Sequence, residues 1–138
     1  MFKYGTIYSN FTPLVKAPVI GYRISGGDVL NILKKITKKN FSKDHSLIRV
    51  VKIYNHDDSI LDECSVVFFK SPKSFTGEDV CEIFLHGSPL IASQFEQLLK
   101  HLKLPGLRLA KNGEFSYRSV LNGKNSLKQA KAINGLIS

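Results

Sequence analysis

Glu82 is a carboxylate set in the middle of an otherwise apolar strand. Residues 79–86 read Asp-Val-Cys-Glu-Ile-Phe-Leu-His, following a turn-rich stretch at 74–78. Side chains alternate faces along a strand, so Val80, Glu82, Phe84 and His86 share one face while Cys81, Ile83 and Leu85 share the other. An ionised carboxylate between Val80 and Phe84 is costly unless donors meet it. The sequence therefore poses one question: which donor does Glu82 receive? The simplest answers are an internal Arg or Lys, or an edge strand that leaves the carboxylate wet.

Other chemistry is sparse. Cys64 and Cys81 fall within predicted strands and lack Cys-x-x-Cys spacing, which predicts buried reduced thiols. His45, His56, His86 and His101 show no paired ligand spacing, so no metal site is expected. Gly123-Lys124 is the one place where a nucleotide phosphate loop could sit. Position 118 is Arg where the first glycine of such a loop belongs, and Asn125 replaces the metal-binding hydroxyl. No dinucleotide fingerprint, nucleophile elbow or Cys/His catalytic spacing is present, so nothing supports hydrolytic chemistry.

The 138 residues make one domain, and 43% hydrophobic content is enough to fold it without metals or disulfides. No apolar run approaches the roughly 18 residues a membrane span needs. The start, Met-Phe-Lys-Tyr-Gly, lacks a signal-peptide pattern, so a cytoplasmic protein is expected, without membrane contact. Twenty Lys and Arg against eleven Asp and Glu give a formal charge of +9, which favours an anionic partner, either RNA or a polyanionic small molecule. Lysines cluster at 34, 35, 38, 39 and 43 and again at 111, 124, 128 and 131. The first cluster lies on a helix whose other face is apolar and reads as a solvated face. Aromatics for base stacking are not interleaved with it, apart from Phe41.

The elements that must position Glu82 are mixed. Strands are predicted at 2–8 and 19–25, with a Pro-containing loop between them. A helix is predicted at 28–39, capped by Ser25 or Asp28, with Val29, Leu30, Ile32, Leu33 and Ile36 as its apolar face. Residues 47–54 and 63–70 read as strands joined by the turn cluster Asn55-His56-Asp57-Asp58, an antiparallel connection. After the strand at 79–86, Ser88 and Pro89 open a helix that runs to about residue 102, where Leu104-Pro105-Gly106 stops it. A short strand at 107–110 and helical stretches at 114–121 and 126–137 finish the chain. Strands and helices alternate without a βαβ period, which predicts an α+β fold with a mixed or antiparallel sheet and packed helices. The short N-terminal strands are expected to form an edge needing protection.

Three stretches carry a resemblance: Tyr22-Arg23-Ile24-Ser25-Gly26; Ser74-Phe75-Thr76-Gly77-Glu78-Asp79-Val80-Cys81-Glu82 through His86-Gly87; and Leu104-Pro105-Gly106-Leu107-Arg108 followed by Gly113-Glu114-Phe115-Ser116-Tyr117-Arg118 and Leu121-Asn122-Gly123-Lys124. In this order and spacing they resemble the N-terminal domain of the MnmE/TrmE family of tRNA-modification GTPases, over nearly the whole chain. The resemblance implies a folate-binding and dimerisation domain, similar in fold to the tetrahydrofolate-binding part of the glycine-cleavage aminomethyltransferases. It implies a 5-formyl- or 5,10-methylenetetrahydrofolate ligand, contacted by Arg23, Glu82 and Lys124. It also implies a homodimer, and action with tRNA and a flavin-dependent MnmG-type protein in modifying the wobble uridine. GTP, Mg and K would bind a G domain absent from these residues, and the chain looks like an N-terminal domain without its helical and G domains.

A pterin edge presents adjacent N–H donors that a carboxylate accepts in pairs, which suits Glu82. Arg23 and Lys124 suit the pterin carbonyl or the carboxylates of the glutamate tail. Direct pairing of Arg23 with Glu82 is the alternative that needs no ligand. The family's loop before the Arg strand is rich in glycine, whereas residues 14–19 here contain none; Lys131 stands where an acid is usual. A free-standing one-carbon transferase and a non-catalytic RNA-binding module are the rival functions.

Overall fold

Alternation of apolar residues along the strands builds the inner surface of one six-stranded sheet. The computed structural model describes residues 4–13 and 18–124. In chain order these form β1 (Ile7–Phe11), β2 (Val19–Ser25), α1 (Val29–Thr37), β3 (Ile48–Tyr54), β4 (Ile60–Phe69), β5 (Val80–His86), α2 (Pro89–His101), β6 (Arg108–Leu109) and α3 (Glu114–Leu121). The sheet order is β3-β4-β5-β2-β1-β6. All neighbours are antiparallel except β1 and β6, which are parallel. The fold is α+β with a mixed sheet, as expected.

One face of the sheet carries the main core. Tyr8, Tyr22, Ile24, Val51, Ile53, Val66, Phe68, Cys81, Ile83 and Leu85 point to that face. They meet Val29, Ile32, Leu33 and Ile36 of α1 and Phe95, Leu98 and Leu99 of α2. The α1 set follows the i, i+3, i+4, i+7 spacing of an amphipathic helix. Ser88 caps α2, its Oγ accepting from the Ile91 N–H at 3.4 Å, and Pro89 takes the first turn. Asp28 caps α1 without using its own side chain; Thr6 Oγ1 accepts from the Asp28 N–H at 3.0 Å instead. Tyr22 donates its hydroxyl to Glu96 Oε2 at 2.5 Å, and burial first, then this bond, raises its pKa. Both cysteines are buried and unbridged. Burial pushes the Cys64 thiol up to about 12, with Asp62 adding to the shift, and raises that of Cys81 too, so neither is primed as a nucleophile.

Two strand starts and one sheet position differ most from the sequence reading. β1 begins at Ile7 rather than residue 2, because its partner β2 ends at Ser25, opposite Ile7, and Gly26 at φ 142° turns the chain away. β4 begins at Ile60 rather than 63, because the hairpin closes tightly, with the Asn55 N–H donating to Ser59 O at 2.8 Å. The edge expected at the N-terminal strands is partly covered: among the described residues the two-residue β6 pairs with Ile7 and Tyr8 of β1 and leaves residues 9–11 without a partner on that side, and the outermost strands are β3 and β6. The helix expected at 126–137, Lys128, Lys131, Asn125 and most of the glycine-free loop lie outside the described residues.

Candidate functional site

The second face of the sheet is built by the other half of each alternation. Residues paired across the ladders share a face, so Ser9, Arg23, Glu82, Val67 and Ile48 form one row across the sheet. Phe11, Gly21, Phe84, Ser65 and Val50 form the next. Among the described residues no long helix covers this face; α3 and the 71–79 loop border it at Arg23 through Phe115 and Phe75. Ile48 and Val50, at the β3 edge, are 72% and 68% exposed.

Arg23 and Glu82 stand directly opposite each other in the β2–β5 ladder. Arg23 Nε and Nη2 both reach Glu82 Oε2, at 3.0 and 2.9 Å. The donor that the sequence demanded for Glu82 is therefore internal. The pairing is lopsided, however. Both bonds end on one oxygen, and neither Glu82 Oε1 nor Arg23 Nη1 has a hydrogen-bond partner among the described residues. Each side chain keeps about a fifth of its surface exposed (19% and 20%). The guanidinium lies 5.0, 5.4 and 5.6 Å from the ring centres of Phe11, Phe75 and Phe115, an aromatic surround that favours a cation and shields it from water.

Lys124, the third candidate, does not touch this pair. Its ammonium donates to Pro72 O at 3.0 Å. It is linked to the pair through the 71–79 loop, whose Phe75 faces Arg23. A Cβ on Gly77 of that loop would stand 3.4 Å from Lys124 Cγ and 2.8 Å from Asn122 Cβ; Gly77 is at φ 84°. Asn122 Nδ2 donates to Thr76 O at 2.8 Å, tying the end of α3 to the same loop.

Beneath the loop runs a chain of ionic contacts. Ser25 Oγ donates to Glu78 Oε1 at 2.7 Å, and Arg118 Nη1 reaches the same oxygen at 3.1 Å. Arg118 Nη2 contacts Glu114 Oε2 at 3.3 Å, and Glu114 takes a two-pronged contact from Arg108 at 2.8 and 2.6 Å. The Arg108 contact, helped by the Lys111 N–H, lowers the Glu114 pKa to about 2. Arg118 and Glu78 are almost wholly buried, at 1% and 3% exposure. This chain locks α3 onto β2 and the loop, which sets where Phe115, Phe75 and Lys124 stand. Reading by sequence missed Glu78, Arg118 and the three phenylalanines as site-builders. Phe75, Phe115, Glu78 and Arg118 do lie inside the motif runs. A buried role for Arg118 has a faint local signal: it lies three residues after Phe115, on one helix face.

The family described as GTP-binding protein TrmE N-terminus matches residues 6–124. The chain belongs to that family. Among similar proteins, the tRNA modification GTPase MnmE of Helicobacter pylori (strain HPAG1) is 45% identical over 133 residues, 96% of this chain and 28% of the relative. The MnmE of Campylobacter concisus is 44% identical over 116 residues, 84% of this chain and 25% of the relative. That of Malacoplasma penetrans is 42% identical over 132 residues, 96% and 29%. This TrmE N-terminal chain thus spans less than a third of the length of these relatives. Among its described residues no helix is long and apolar enough to cross a membrane, and no three His, Cys, Asp or Glu side chains gather as metal ligands.

Proposed function

We propose that this chain is a folate-binding and dimerisation domain serving a cytoplasmic tRNA-modification GTPase. It would hold 5-formyl- or 5,10-methylenetetrahydrofolate for wobble-uridine modification, in company with tRNA and an MnmG-type flavoprotein. The observation that carries the ligand reading is the lopsided Arg23–Glu82 pair. Arg23 orients the carboxylate and leaves Oε1 open on a face that three aromatic rings flank. One pterin N–H would donate to the open Oε1, and the adjacent N–H would reach Oε2 by displacing one of its two Arg23 contacts. The open Nη1 of Arg23 suits the pterin carbonyl, and Lys124 at the rim suits a carboxylate of the glutamate tail. Dimerisation draws support from the exposed apolar Ile48 and Val50 at the β3 edge of the same face.

Calorimetric titration with 5-formyltetrahydrofolate tests the reading. The wild-type chain should bind, and Glu82→Gln, which turns one acceptor into a donor, should weaken binding by about 1–3 kcal/mol. Equal affinity in a folded Glu82→Gln variant would remove Glu82 from the site.

A further inference from the structure

The positive charge of this domain is unevenly distributed between its two basic residue types. All four arginines face carboxylates within the fold: Arg23 with Glu82, Arg49 with Asp44, Arg108 with Glu114 and Arg118 with Glu78. The capacity to meet an outside anion therefore rests on lysines, and three of these gather at one turn. Lys70 and Lys73 are its first and last residues, the Lys73 N–H donating to Lys70 O at 2.8 Å. Lys124 reaches the same turn from the end of α3 through its 3.0 Å bond to Pro72 O. All three are exposed, and none forms an ion pair among the described residues. One carboxylate touches the turn, Asp79, whose Oδ1 accepts from the Ser71 N–H at 2.9 Å; the cluster stays positive. His45 Nδ1 accepts from the Lys70 N–H at 2.9 Å.

The turn leads directly into the loop that lines the site. The loop that leaves the turn carries Phe75 beneath the Arg23 guanidinium and Gly77 against Lys124. A ligand anchored at Glu82 by one end and extending past Phe75 towards the turn would bring its other end to the lysines. Reduced folates have that polarity: a donor-bearing pterin at one end and a glutamate tail at the other, which γ-linked extension lengthens by one carboxylate per residue. Exposed lysines on flexible stems suit a mobile, multiply charged chain better than the fixed fork of an arginine.

Resting on the folate reading above, we propose that Lys70, Lys73 and Lys124 form a tail subsite that selects the polyglutamylated form of the reduced folate. Calorimetric titration with the mono- and pentaglutamate forms of 5-formyltetrahydrofolate tests it. Both should bind, the pentaglutamate about tenfold more tightly at low ionic strength, as befits a few exposed ion pairs. That advantage should shrink as salt rises. The double variant Lys70→Gln/Lys73→Gln should bring the two affinities together, and Lys70→Arg/Lys73→Arg should keep them apart. Equal affinity of the wild-type chain for both forms would overturn the tail subsite and leave the folate reading standing. A pentaglutamate advantage that survives undiminished in the double Gln variant would overturn it as well. Binding of neither form would overturn both readings.

Discussion

The ring of Phe11 fills the space above the Cα of Gly21: a Cβ at position 21 would stand 2.5 Å from Phe11 Cζ. The two residues are cross-strand partners, and the same ring packs edge-on against Phe84 and lies 5.0 Å from the Arg23 guanidinium. Glycine at 21 thus lets an aromatic side chain fold back over the sheet and line the site. Gly21→Ala should push the ring off Arg23 at an overpacking cost of about 1–3 kcal/mol, read as a lower denaturant midpoint. Folate affinity should fall with it. Unchanged unfolding and binding would mean the ring shifts freely and takes no part in the site.

Arg118 and Glu78 form the most deeply buried ion pair of the described residues. Removing the cation leaves a buried carboxylate with only the Ser25 hydroxyl to meet its Oε1, and such losses cost about 3–5 kcal/mol. Arg118→Met should therefore lower thermal stability severely. Glu78→Gln, which keeps an acceptor oxygen, should cost less, about 1–3 kcal/mol. Equal melting of Arg118→Met and wild type would show that α3 is held by its apolar contacts alone.

Glu114 links acid stability to the same chain. Its folded pKa of about 2 lies below the ordinary value of 4.5, so the folded state binds its proton less readily than the unfolded state. The stabilisation is complete above about pH 4.5 and is lost as pH falls towards 2. Stability profiles of wild type and Glu114→Gln should hold a constant separation above that window and converge within it. A separation that does not change between pH 5 and the acid end would contradict the Arg108 contact as its cause.

Ile48 shares its row with Glu82 and Arg23 but lies on the β3 edge, exposed. With dimerisation proposed through this edge, Ile48→Lys should shift the chain towards monomer in sedimentation equilibrium at physiological salt. Most of the +9 repulsion between copies is screened there beyond about 8 Å. A wild-type monomer well above micromolar concentration would place the dimer contact outside this chain.

Local sequence settled what local physics controls. The amphipathic spacing of α1, the Ser88–Pro89 opening of α2 and the two faces of β5 are visible within single segments, because side-chain period and capping need only near neighbours. So is the fact that Glu82 must find a donor. The identity of that donor is not local. Arg23 meets Glu82 because β5 inserts between β4 and β2 in this register, and that order depends on how α1 and α2 bury the opposite face of the sheet. The same holds for Arg118, read as an interruption in a failed phosphate loop until α3 folds over Glu78. Residues 40 or more positions apart meet only through packing, which no periodicity encodes; the open oxygen of Glu82 and the lysines of the 70–73 turn were decided there.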